Sequence, residues 1–180
     1  MKKGISIIIA SILILGMTSL LAARANVKND EDEIRSLVIQ FLEIREEHLL
    51  SEAKIDALFE FFDVSVADDL DNNVTLKVFE YERLMRAKNA EFITNDSFKI
   101  YVGDPDIEGL TAAVEASEYY EYENIPGVND ISSRSPYYRI SLIKNDGVWK
   151  IRDIDFKNEI TLIVDDVGSI DAVKTLIETN

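Results

Sequence analysis

Hydrophobic residues recur at helical spacing through the first half of the chain and at every second position through much of the rest. Ile34, Leu37, Val38, Phe41 and Leu42 fall at i, i+3, i+4, i+7 and i+8, the stripe of an amphipathic helix. The acidic lead-in Asn29-Asp30-Glu31-Asp32-Glu33 puts negative charge where a helix N-terminus favours it. Ile55, Leu58, Phe59 and Phe62 predict a second, short helix, with Ser51 as a candidate cap. A third helix is predicted over about 74–90, with Val74, Val78, Tyr81 and Met85 on one stripe. Between them, Val64–Asn73 reads as a loop or short extended piece.

After Ala90 the period becomes two. Phe98, Ile100 and Val102 alternate until Gly103-Asp104-Pro105-Asp106 breaks the run. Leu110, Ala112, Val114 and Ala116 alternate again, in a strand that can continue into Tyr119–Tyr122. Asn124–Pro136, with Pro126-Gly127 and several serines, reads as a loop. Tyr138, Ile140 and Leu142 mark the next strand, Asn145-Asp146-Gly147 a tight turn, and Trp149 and Ile151 the start of a return strand ending near Phe156. A tail follows, with a short apolar strand (Ile160, Leu162, Val164) and a small helix. Its stripe is Ile170, Val173, Leu176 and Ile177, and Ser169 is its candidate cap.

Helices first and long antiparallel strands afterwards make an α+β fold. The segment from Tyr137 to Ile151 contains a strand, an Asp-Gly turn and Trp149-Lys150-Ile151. It resembles the closing hairpin of nuclear transport factor two-like (cystatin-like α+β cone) domains. The resemblance covers roughly residues 30–156 and implies N-terminal helices packed in a curved antiparallel sheet whose open end leaves a pocket. Similar regions occur in exported proteins of Gram-positive bacteria. Enzymes of that superfamily commonly place an Asp/His pair in the pocket. This chain has a single histidine, which does not support that chemistry.

The N-terminus bears on location. Lys2 and Lys3 precede Ile5–Ala23, which carries no charge, and Ala23-Arg24-Ala25 fits the small-x-small site of a signal peptidase. The run is also nearly long enough to span a bilayer as an uncleaved anchor. The expected organisation is a signal peptide or anchor (1–25), the α+β domain (26–157) and a strand-helix tail (158–180). The expected location is extracytoplasmic, secreted or held at the outer face of the membrane. Removing residues 1–25 takes away Lys2, Lys3 and Arg24 and no acid, leaving 16 basic against 34 acidic residues, a net charge of −18. Such a charge argues against nucleic acid and anionic lipid as partners. With no cysteine there is no disulfide, thiolate metal site or lipoprotein attachment.

Candidate chemistry is sparse. At roughly 100° per residue, Arg45 and His48 fall on the apolar face of the first helix, with Phe41 and Leu49. Either they point into the cone and grip an anionic or hydrogen-bonding group, or Arg45 lays its stem along the core and pairs with an acid. With a cone pocket, Arg45, His48, Tyr81 and Trp149 are the candidate ligand-binding residues. Asp104, Asp106 and Glu108, with Gly109 and then Glu115, match the spacing of a calcium loop. Their flanks read as strands, and Thr111 stands where an aliphatic residue is wanted, so they are weak metal candidates. Tyr119, Tyr120, Tyr122, Tyr137 and Tyr138 make either an aromatic surface for glycan or peptide, or cross-strand pairs. No catalytic residue or cofactor is assigned. The reading that follows is an exported, non-catalytic binding or interaction module for a small ligand or protein partner. Membrane contact is expected only through an uncleaved leader, and a homodimer through the sheet is left open. The competing readings are a small pocket hydrolase or isomerase of the same superfamily and an envelope structural module held by its leader.

Overall fold

A computed structural model describes residues 27–49, 55–63, 73–89, 92–93, 98–123, 131–155 and 167–179. The leader, Ser51, the acidic run 68–72 and the apolar tail strand at Ile160, Leu162 and Val164 lie outside them. Helix α1 (residues 27–49) already contains the acidic lead-in, so those acids sit in its first turns and not ahead of it. Its buried face carries Ile34, Val38, Phe41, Leu42, Arg45, His48 and Leu49. Helix α2 (Asp56–Phe59) is a single turn and stops short of Phe62. The chain there turns out of the helix, and Phe62 makes a parallel bridge to Ile151.

Helix α3 (Val74–Asn89) starts at Asn73, whose side-chain oxygen accepts the Leu76 N–H at 3.2 Å. Its buried residues include Thr75, Val78, Phe79, Glu82 and Arg86, whereas Val74, Tyr81 and Met85 are only half-buried. The apolar pattern caught Val78 but missed much of this face, because three of its deep positions, Lys77, Glu82 and Arg86, are charged. Helix α4 (Ile170–Thr179) is capped by Ser169, whose Oγ accepts the Ala172 N–H at 3.2 Å. It packs on α3, with Lys77 Nζ bonded to the Val167 carbonyl at 2.7 Å and Lys88 Nζ to the Ile177 carbonyl at 3.2 Å.

Among the described residues, seven strands form one antiparallel sheet: β1 (Phe92–Ile93), β2 (Lys99–Val102), β3 (Asp106–Glu108), β4 (Thr111–Glu123), β5 (Ile131–Arg134), β6 (Tyr137–Asn145) and β7 (Val148–Asp155). β4 is the spine. β1, β2 and β3 follow one another along one of its edges, β5 and β6 along the other, and β7 pairs with β6. The register of β6 runs on into β5: Ser117 faces Tyr137, and Tyr120 faces Arg134. A strand therefore lies inside the segment expected to be a loop, and β3 lies between the expected break, which it meets at Asp106, and the strand expected from Leu110. Leu110, expected on the buried row, is exposed in the turn that Gly109 makes with φ 65°.

The β6–β7 turn holds Asp146 and Gly147 at φ 50° and 83°, the two positive angles that a two-residue hairpin loop requires. Between Leu142↔Ile151 and Ser141↔Asp153, Arg152 is an extra residue on β7. This bulge moves the buried row from Trp149 and Ile151 to Ile154. The inner faces of β4, β6 and β7 and the buried faces of α1 and α3 share one core.

Candidate functional site

The inner row of β4 is Ala112, Val114, Ala116, Glu118 and Tyr120, so alternation places a carboxylate inside the core. Glu118 is fully buried and Arg45, coming from α1, is 1% exposed. Arg45 Nη1 donates to Glu118 Oε2 at 2.5 Å, and Nη2 donates to Glu82 Oε2 on α3 at 2.6 Å. The Tyr138 hydroxyl donates to the same Glu118 oxygen at 2.8 Å. The guanidinium lies over the Phe79 ring at 4.5 Å, a contact that adds to the ion pairs. Nearby, Arg86 Nη2 donates to the Tyr120 hydroxyl at 2.7 Å and lies over that ring at 4.8 Å.

Charge on this cluster is set by burial against pairing. Burial alone would lower the Arg45 pKa, but Glu118 foremost, with Glu82 and the buried tyrosines, holds it well above its ordinary value. Burial raises the Glu118 pKa, although Arg45 and Tyr138 pull it down. Burial also raises Tyr120, and Tyr138 more strongly. One turn along α1, buried His48 places Nε2 at 3.2 Å from Glu80 Oε2. Burial would raise the Glu80 pKa, yet hydrogen bonds from Arg83 and His48 bring it down to about 2.

Arg45 and His48 thus share the inner face of α1, as their helical phase requires, and both meet carboxylates of α3. Tyr81 is half-buried against the core and Trp149 is buried. Glu118, Glu82 and Arg86 escaped the sequence reading. Continuing the β4 alternation one step past Ala116 would have found Glu118, and the i, i+4 steps from Val78 would have found Glu82 and Arg86. Of the five clustered tyrosines, Tyr120 and Tyr138 are buried, Tyr119 is half-buried and Tyr137 is exposed, and the Tyr122 side chain is outside the described set.

The acidic loop is a hairpin. Glu108 and Thr111 pair across its turn, and Glu115 lies further along β4. Asp104 is salt-bridged to Arg35 of α1. Among the described residues, no three His, Asp or Glu side chains converge as a metal cage requires. Because this loop is a strand hairpin and Asp104 is committed to Arg35, a chelator is expected to leave the melting temperature unchanged. A large drop, reversed by calcium and abolished by Asp104→Ala, would contradict this.

An open groove of about 560 Å³ lies between α1, the end of α2 and the β6–β7 hairpin. Leu37, Phe61, Val148 and Trp149 give it apolar walls, and Glu33 and Glu60 stand at its rim. Trp149 Nε1 donates to Asp30 Oδ1 at 3.2 Å, and Asp30 is also salt-bridged to Lys144. α1 is thereby tied to the hairpin along one side of the groove.

Among the described residues no helix is long and apolar enough to cross a membrane. No family model and no curated protein matches the chain. Among solved structures it is similar to the crystal structure of the intermembrane space region of the chloroplast protein ARC6. The identity is 18%, over 70% of this chain and 95% of that chain, with a TM-score of 0.48. A likeness of that degree says nothing of what this chain does.

Proposed function

We propose that this chain is an exported, non-catalytic binding module on a cone-like sheet of the nuclear transport factor two-like kind, and that its partner is received in the groove beside Trp149. The observation that carries the reading is the contrast between the two polar regions. Inside, Arg45 and His48 meet the carboxylates of Glu82, Glu118 and Glu80, so these side chains serve the core. Outside, the groove offers apolar walls with a polar rim, the composition of a binding surface. The cone-like shape is supported by α1 and α3 lying on one face of an antiparallel sheet and by the bulge at Arg152. Export is supported by the leader, with its Ala23-Arg24-Ala25 site.

Two measurements on cells producing the full chain test this. Protein recovered from the envelope or medium should begin at Asn26, and intact chain confined to the cytoplasm would defeat export. A photo-crosslinking residue at Val148, which is 55% exposed in the groove, should give a defined adduct. The same probe at Arg152, exposed on the bulge, should not. Equal adducts at both positions, or none at either, would remove the groove from the reading.

A further inference from the structure

The groove has a property that its lining does not reveal. The Ile151 N–H donates to the Phe61 carbonyl at 2.8 Å, and the Asp63 N–H donates to the Ile151 carbonyl at 2.8 Å. Both main-chain groups of Ile151 therefore point away from β6, although Ile151 faces Leu142 there. Main-chain direction alternates along a strand, so the groups of Trp149, two residues earlier and opposite Lys144, point the same way. They meet no main-chain partner among the described residues. That stretch of the β7 edge borders the groove, with Phe61 at its end.

We propose that the groove takes an extended peptide segment of a partner protein, apolar on alternate residues and carrying lysine or arginine, which adds to the β7 edge at Trp149. This deepens the reading given above and rests on it. The chain already uses the edge in this way, because residues 61–63 dock on Ile151 by one pair of main-chain bonds with Phe62 buried behind them. A guest would carry that pairing one step on, by strand addition. Its inward side chains would meet Leu37 and Phe61. Its cationic residues would meet the exposed carboxylates of Glu33 and Glu60. Lys150 also borders the groove, but its Nζ is turned to the Glu60 carbonyl at 2.5 Å. The formal charge of −15 on the whole chain favours a cationic guest and disfavours a second copy across this edge.

Trp149 is the sole tryptophan, so its fluorescence reads the groove directly. The probe is a short synthetic peptide of alternating valine and threonine with lysine at both ends, titrated into the mature chain. Two further peptides carry N-methyl groups on one or the other set of alternate amides. A strand bonds through one set only, and a slip by one residue would turn its valines outward. The parent should give a saturable change in Trp149 emission. One methylated peptide should bind at least tenfold more weakly and the other like the parent. Glu33→Lys with Glu60→Lys should reverse the preference between lysine-ended and glutamate-ended peptides, with the circular dichroism of the chain unchanged. The proposal is overturned if no peptide gives a saturable change, if both methylated peptides bind like the parent, or if the charge reversal leaves the preference unaltered. It is equally overturned by concentration-dependent dimerisation that Val148→Lys abolishes, which would give the edge to a second copy. Should the peptides fail while the probe at Val148 still captures a partner in cells, the peptide inference falls and the binding-module reading stands. Loss of that adduct removes both.

Discussion

Arg45→Met is expected to cost about 3–5 kcal/mol of folding stability, because it leaves two buried carboxylates without their cation. Glu82 and Glu118 both bond to this guanidinium, and neither has solvent to turn to. The loss should depend on pH with a defined sign. Burial raises the Glu118 pKa above the ordinary 4.5 in the folded protein. The folded state then binds that proton more tightly than the unfolded chain. The group's contribution to stability therefore grows as pH falls from its folded pKa to about 4.5. Removing Arg45 removes the largest influence that lowers the Glu118 pKa, so the shift widens in the variant. Urea unfolding should show the greatest deficit near about pH 8 and a smaller one near about pH 5. Below pH 4.5 both proteins should weaken. Glu80, held at about 2, contributes stability that is present above 4.5 and lost as pH falls toward that value. Glu118→Gln in the Arg45→Met background should recover part of the loss. A cost below about 1 kcal/mol for the single change, independent of pH, would show that Arg45 does not neutralise this cluster.

The contrast between Arg45 and its partners shows what a sequence can and cannot disclose. The phase of α1 put Arg45 and His48 inward, since helical geometry alone determines which residues share a face. The β6–β7 hairpin was equally legible, because Asp146-Gly147 encodes its turn locally. The partners are non-local. Glu82 and Glu118 stand 37 and 73 residues from Arg45, and although periodicity can put each on an inner face, nothing in the sequence pairs either with Arg45 before the sheet is threaded. Much of the α3 face was missed for a related reason. An apolar stripe is sought by excluding charge, and this helix buries Lys77, Glu82 and Arg86. The groove was illegible too. It arises where the turn after α2 brings Phe61 beside β7, a contact between distant segments whose residues, Leu37, Phe61 and Val148, have no common period.

Trp149→Ala is expected to cost about 3–5 kcal/mol, the usual range for removing a large buried aromatic side chain. The indole is 2% exposed, on the inner row that continues through Ile151 and, past the bulge, Ile154. Its removal would leave a cavity in the shared core of helix and sheet. It would also break the bond from Nε1 to Asp30. That carboxylate is held below its usual pKa chiefly by Lys144, with the indole N–H assisting, and Lys144 Nζ lies 5.5 Å from the indole ring centre. Trp149→Phe separates the two contributions. It keeps most of the apolar body and loses the donor, so its cost should be nearer about 1 kcal/mol. The Asp30–Lys144 ion pair would still tie α1 to the hairpin. Chemical denaturation of the three proteins, followed by far-ultraviolet circular dichroism, measures both steps. A loss for the alanine variant below about 1 kcal/mol, or equal losses for alanine and phenylalanine, would count against the burial that fixes the register of β7. If the phenylalanine variant is intact and the alanine variant is not, the apolar body of Trp149 holds the wall of the groove, and the hydrogen bond to Asp30 only trims its position.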